Sequence, residues 1–207
     1  MRKVVFKKIV VVITSLFILT GCSNMSSGIS VGDQTLKSSE IQRAVDEILE
    51  ARKTLADPQM QLVDTQKLLR NQAQFAVITI LFNEIAKELN ISVTPSDVNQ
   101  RRIEVVAQIG GEDRVPTALV NSNLAESSFD DYLRLLIIID ILNNSLIANG
   151  ASEEQASIEV SKLLVVTAEK LGVKVNPKYG KWNPASAVIE DGDVTGGAVI
   201  PIPSILL

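Results

Sequence analysis

The 207-residue sequence contains no histidine and one cysteine, Cys22. The first absence closes Ser-His-Asp and Cys-His catalysis, imidazole zinc sites and histidine pH switching. The second leaves no partner for an intramolecular disulfide, so stability must come from packing. Positive charge is short as well. Of 20 Lys and Arg, four (Arg2, Lys3, Lys7 and Lys8) fall at the extreme amino terminus, leaving 16 against 24 Asp and Glu, a balance near −8. Such a surface does not suit a phosphate backbone, and no nucleic-acid partner is expected. Phosphate loops are missing too: Gly192 and Gly196-Gly197 have the wrong spacing and no helix after them.

What is present is a globular composition, 46% hydrophobic and 21% charged, with a distinct start. The four early cations precede an uncharged run from Ile9 to Leu19. This is the charge step and apolar stretch of an export signal. It ends at Leu19-Thr20-Gly21-Cys22, which resembles the lipobox of bacterial lipoproteins. That resemblance implies signal cleavage between Gly21 and Cys22, with Cys22 carrying a diacylglycerol. It also implies an extracytoplasmic, lipid-anchored location, since two or more acyl chains suffice for stable anchoring. The competing reading is an uncleaved membrane anchor over residues 4–20, with Cys22 incidental. Residues 1–21 are thus assigned to the signal and 22–28 to a polar tether.

Beyond the tether the pattern is mainly helical. A brief hairpin is predicted over Ile29–Leu36, with Gly32-Asp33 as its turn. Ser39 with Gln42 makes a capping-box pattern for a helix ending at Asp57-Pro58. A long helix is predicted over residues 62–89; its uncharged middle, Asn71 to Asn83, keeps Gln72 and Gln74 and so reads as buried and not as a membrane span. Thr94-Pro95-Ser96-Asp97 starts a helix that stops at Gly110-Gly111. A short helix follows Pro116. Ser128 with Asp131 opens another to Ala148, whose Leu135–Ile139 stretch is apolar on every side and is expected at the centre of the core. Ser152 with Gln155 opens the last helix, ending near Leu171-Gly172. Val173–Val175 reads as a strand, and the tail from Pro184 to Leu207 is expected to be poorly ordered. The predicted fold class is all-α, about six helices with short β segments at both ends, in one domain over residues 29–183.

Three stretches carry a family resemblance: Ile-Ser-Val-Gly-Asp-Gln-Thr-Leu-Lys-Ser-Ser-Glu-Ile (29–41), Val-Thr-Pro-Ser-Asp-Val (93–98) and Val-Asn-Pro-Lys-Tyr-Gly-Lys-Trp (175–182). With the helical order between them, the chain resembles the helical chaperone module shared by SurA, PrsA foldases and trigger factor, over about residues 30–182. The resemblance implies binding of unfolded or newly exported proteins. Longer relatives carry parvulin-type isomerase domains whose sites include histidines. With no histidine here, that activity is not carried over.

Several residues invite chemistry, each with a plainer use. Asp130-Asp131 and Glu153-Glu154 are paired carboxylates, but both lie in first turns of helices, where negative charge is favoured. Asp140 sits in the apolar run Ile-Ile-Ile-Asp-Ile-Leu and calls for a partner such as Arg134, or for solvent. Phe75, Phe82, Phe129 and Tyr132 have helical spacing and suit the core better than a substrate groove. Tyr179 and Trp182 could clamp a peptide but more simply pack the carboxyl-terminal segment back on the helices. The apolar end, Pro201 to Leu207, resembles an unfolded client in composition and could enter the molecule's own groove. No catalytic residue, metal ligand or cofactor is expected. The reading is a non-catalytic chaperone lipoprotein, with an adaptor that holds one folded envelope partner as the alternative. Peptide-contacting residues and oligomeric state are not legible.

Overall fold

The structure is a computed structural model that describes residues 27–55 and 64–192. Gly21, Cys22 and the rest of residues 1–26 lie outside the described residues, as do the Asp57-Pro58 helix stop and the tail beyond Gly192.

The predicted hairpin forms from β1 (Ser27–Val31) and β2 (Gln34–Lys37), paired antiparallel with Val31 opposite Gln34. Gly32 turns the chain at φ +56°, a left-handed conformation that suits glycine. Strand alternation sends Ile29 and Val31 inward, where both are buried. β3 (Val173–Val175) pairs antiparallel with the other edge of β1, giving the order β2-β1-β3. The beginning and end of the helical region are thereby tied together.

Among the described residues six α-helices lie between: α1 (Ser38–Thr54), α2 (Thr65–Glu88), α3 (Pro95–Ile109), α4 (Val115–Asn121), α5 (Phe129–Ala148) and α6 (Glu153–Leu171). Thr94 and Asp97 cap α3 reciprocally, Pro95 occupies its first position, and Gly110 ends it at φ +97°. Ser152 and Gln155 cap α6 in the same way. Asp64 caps α2 by accepting from the Gln66 N–H.

Two helix starts differ from the sequence pattern. At α1 the Glu40 carboxylate, not the Ser39/Gln42 pair, accepts an end N–H, that of Lys37 at 2.7 Å. The chain leaves β2 straight into the helix, which places the cap two residues early. At α5, Ser128 makes no side-chain cap because it already lies in a 3-10 turn, Glu126–Ser128, with φ −96° and ψ 0°. Glu47 of α1 secures this turn instead, accepting from the Ser127 N–H at 2.8 Å and hydroxyl at 2.7 Å.

α2 forms the axis of the fold and packs against α1, α5, α6 and β1. Its Leu68, Val77, Leu81 and Ile85 are fully buried, as are Ile41, Val45 and Ile48 on α1. The predicted centrality of Leu135–Ile139 is corrected: Leu135 and Ile138 are buried, whereas Leu136, Ile137 and Ile139 are half-buried. α5 lies to one side, between α3 and the α2/α6 pair, so part of its circumference faces outward. No helix among the described residues is long and apolar enough to cross a membrane.

The expected disorder from Pro184 is also corrected as far as Gly192. After a 3-10 turn at Pro177–Tyr179, β4 (Lys181–Asn183) pairs antiparallel with β5 (Val188–Glu190). A period-based reading misses this hairpin because its partner is short and its anchor is a helix side chain, Gln74. Tyr179 is buried and Trp182 packs beside it against the α2 side of the core, so both serve packing. The domain therefore extends past residue 183 to β5, where Asp191 pairs with Arg70 of α2 at 2.7 Å.

Candidate functional site

Two open cavities share Asp131 in their walls, the first on the face of α2 turned away from the β4/β5 hairpin, and each has a volume of about 300 Å³. That is the lower end of the size range of small-ligand sites. The larger-walled one lies between α1 and α2. Leu36, Ile41, Ala44, Phe75, Ala76 and Ile80 form its apolar part, and polar residues such as Glu40, Arg43, Ser127 and Asp131 complete the wall. Helical spacing explains the α2 contribution: residues 72, 75, 76, 79, 80 and 83 fall on one stripe at intervals of three and four. Thr79 is on that stripe, and its hydroxyl oxygen is buried with no hydrogen-bond partner among the described residues.

The second cavity lies between α3 and α5. Pro95, Val98, Asn99, Arg102, Asp130 and Arg134 line it, so it is more polar. Arg102 pairs with Asp130 at 2.6 Å and lies over the Phe129 ring, 4.5 Å from its centre. Arg134 donates to Asn83 Oδ1 at 3.0 Å and to the Val93 carbonyl at 2.9 Å. These bonds fix its planar group across α2, α5 and the loop before α3.

Asp131 belongs to the walls of both cavities. The residue as a whole is exposed, yet surrounding protein desolvates its carboxyl and raises its pKa; the charge of Asp130 adds to this and Arg134 opposes it. The sequence placed Asp130-Asp131 in a first turn, which is where they are, but could not show that the second of the pair faces two cavities at once. Glu153 and Glu154 are exposed in the first turn of α6.

Other candidate residues separate. Asp140 pairs with Arg101 of α3, not with Arg134, because Arg134 is engaged toward Asn83 and Val93. Phe82 and Phe129 are core residues; Tyr132 is half-buried, and burial raises its phenol pKa. Phe75 alone of the four lines the α1/α2 cavity. Gly192 follows β5 and cradles nothing, while Gly196-Gly197 lies outside the described residues. Sequence reading also missed Arg52. Its guanidinium is buried, donates to Asn123 Oδ1 at 2.5 Å, and has its pKa lowered by that burial. Gln72 donates to the carbonyl of the same Asn123 at 2.6 Å, so α1 and α2 are locked to the turn after α4. A charged residue inside an otherwise amphipathic helix gives no sign of this before folding.

The family model of the SurA-like N-terminal domain matches residues 1–142, more than half of the chain. The chain belongs to the SurA-like N-terminal domain family. The matched span runs from the amino terminus into α5 and includes every residue that lines the two cavities. A SurA-like N-terminal domain is a chaperone-type module, consistent with binding of other proteins. No curated protein and no solved structure matches the sequence.

Proposed function

We propose that this SurA-like domain is a non-catalytic, lipid-anchored chaperone that holds extended segments of exported proteins in the two adjoining cavities, one between α1 and α2 and one between α3 and α5. The carrying observation is the stripe of α2 from Phe75 to Asn83, where Phe75, Ala76 and Ile80 line an open cavity against α1. Apolar client side chains would lose water against Phe75, Ala76 and Ile80, contributing about 25 cal/mol per Å² of apolar surface removed. Exposed polar side chains of the lining, Glu40 and Arg43 among them, would meet the backbone of an extended chain, which brings one donor and one acceptor per residue and needs partners for both. Binding of this kind is reversible and needs no cofactor. The lipobox-like Leu19-Thr20-Gly21-Cys22 would hold the cavities near the site of export and raise their effective concentration there.

The test has two arms. The exported form should suppress aggregation of several unrelated unfolded proteins, and Ala44→Trp or Ala76→Trp, which fills the α1/α2 cavity, should abolish most of that suppression while helical circular dichroism is retained. Full suppression by both filled variants would remove the cavities from the mechanism; stoichiometric capture of one folded partner, with no effect on unfolded proteins, would favour an adaptor. In the second arm, Cys22→Ala should abolish labelling by palmitate and release the protein from membranes. Undiminished labelling would overturn the lipid assignment.

A further inference from the structure

We infer that Asp131 is a specificity residue of this groove, its carboxylate receiving the cationic side chain of a Lys or Arg that adjoins an apolar run in the bound segment. The inference rests on the peptide-holding reading above and adds to it a chemical class of client.

Charge accounting around the cavities singles out this residue. Asp130 is matched by Arg102 at 2.6 Å. Glu40 accepts the Lys37 N–H at the start of α1. Arg134 is held by neutral acceptors, the Asn83 side chain and the Val93 carbonyl. Arg43 sits at the exposed rim, where water solvates it. Asp131 has no hydrogen bond or ion pair with any described residue. It stands where the apolar α1/α2 cavity meets the polar α3/α5 cavity.

The Asp131 carboxylate is exposed, so in the free protein water answers its charge, and neighbouring protein leaves that solvation incomplete. An ammonium or guanidinium group arriving with the client would add a charge-assisted hydrogen bond at this point. An acidic client residue at the same point would meet like charge. Geometry therefore orders the client: apolar side chains between α1 and α2, then a cation at Asp131. Arg134 opposes the cation only in part, since its guanidinium is turned to Asn83 and Val93. Desolvation first, and then the charge of Asp130, raise the Asp131 pKa, and the opposing charge of Arg134 offsets them only in part.

The experiment compares two fluorescent decapeptides of the same apolar sequence, one with a single Lys and the other with norleucine in its place, by anisotropy on the whole exported chain. The Lys peptide should bind about fivefold to tenfold tighter, the scale of a partly exposed ion pair of about 1 kcal/mol. Asp131→Asn should erase that ratio by weakening the Lys peptide; Asp131→Lys should invert it in favour of a Glu peptide. Glu153→Gln makes the same charge change on α6 and should keep the preference. A ratio that survives Asp131→Asn, or that falls equally in Glu153→Gln, overturns the assignment to Asp131 while leaving the groove intact. Failure of both peptides to bind the unmodified chain would instead overturn the groove itself, and this inference with it.

Discussion

The side-chain amide of Gln74 spans the backbone of β5: its Nε2 donates to the Ala187 carbonyl at 2.9 Å, and its Oε1 accepts the Ile189 N–H at 2.6 Å. A single glutamine on α2 thus acts as a one-residue strand edge. It satisfies two buried backbone groups and its own amide together, which is how an otherwise costly polar side chain is tolerated in the interior.

Gln74→Leu should therefore destabilise the fold by about 1–3 kcal/mol, the range for leaving buried polar groups unpaired. The loss should be local first. Amide exchange at Ile189 should accelerate, and the fluorescence of Trp182, opposite Ile189 in the hairpin, should shift toward an exposed position. Unchanged protection at Ile189 would show that the hairpin holds without Gln74.

Gly180 and Gly111 separate steric from conformational cost. A Cβ on Gly180 would stand 2.1 Å from the Glu190 carbonyl oxygen, whereas one on Gly111 would meet nothing within 4 Å. Both have positive φ, at +128° and +110°. Gly111→Ala should lose about 1–3 kcal/mol from backbone strain alone. Gly180→Ala should lose more, because the β4/β5 pairing must open. Thermal denaturation of the two variants checks the order; equal losses would refute the close approach at Gly180.

Ile138 and Ile139 are neighbours of the same type with different burial, the first 1% exposed and the second half-buried. Ile138→Ala should cost about 2–5 kcal/mol in transfer and cavity energy, and Ile139→Ala clearly less. Urea unfolding with an unchanged slope would report the difference as stability. Equal costs would return the whole Leu135–Ile139 run to the core.

Two aspartates should give opposite pH dependences. Asp97 has its pKa lowered first by the Thr94 backbone and then by the Thr94 side chain, so its stabilisation is present above the unfolded pKa and lost as pH falls through the folded value. Asp131 is raised chiefly by desolvation. Its folded form holds the proton more tightly, so stability falls as pH rises from the unfolded to the folded pKa. Asp97→Asn should reduce stability at neutral pH and flatten the acid limb, whereas Asp131→Asn should keep or raise it. Carbon-detected titration of the two carboxyl groups checks the signs, and a lowered value at Asp131 would contradict its desolvation.

The helices were legible because their signals are local. Thr94-Pro95-Ser96-Asp97, Gly110 and Ser152 with Gln155 act within one turn of themselves, and the structure uses them as written. Ser39 and Ser128 carry the same composition but lose their role to Glu40 and Glu47, since strand entry and a 3-10 turn decide which N–H groups are left unpaired. The site was much less legible. Phe75 and Thr79 have the spacing of a helix face, but spacing alone does not say whether that face is covered.

By itself the sequence determined the helical class, the hairpin at Gly32-Asp33 and the lack of any histidine or second cysteine, all of which follow from composition, period and short-range hydrogen bonding. Only the tertiary structure decided that β3 completes a sheet with β1, that Gln74 holds β5, that Asp140 meets Arg101, and that Asp131 joins two cavities. Each of these links residues far apart in the chain. Their partners are chosen by how the helices pack, and no local pattern encodes that choice.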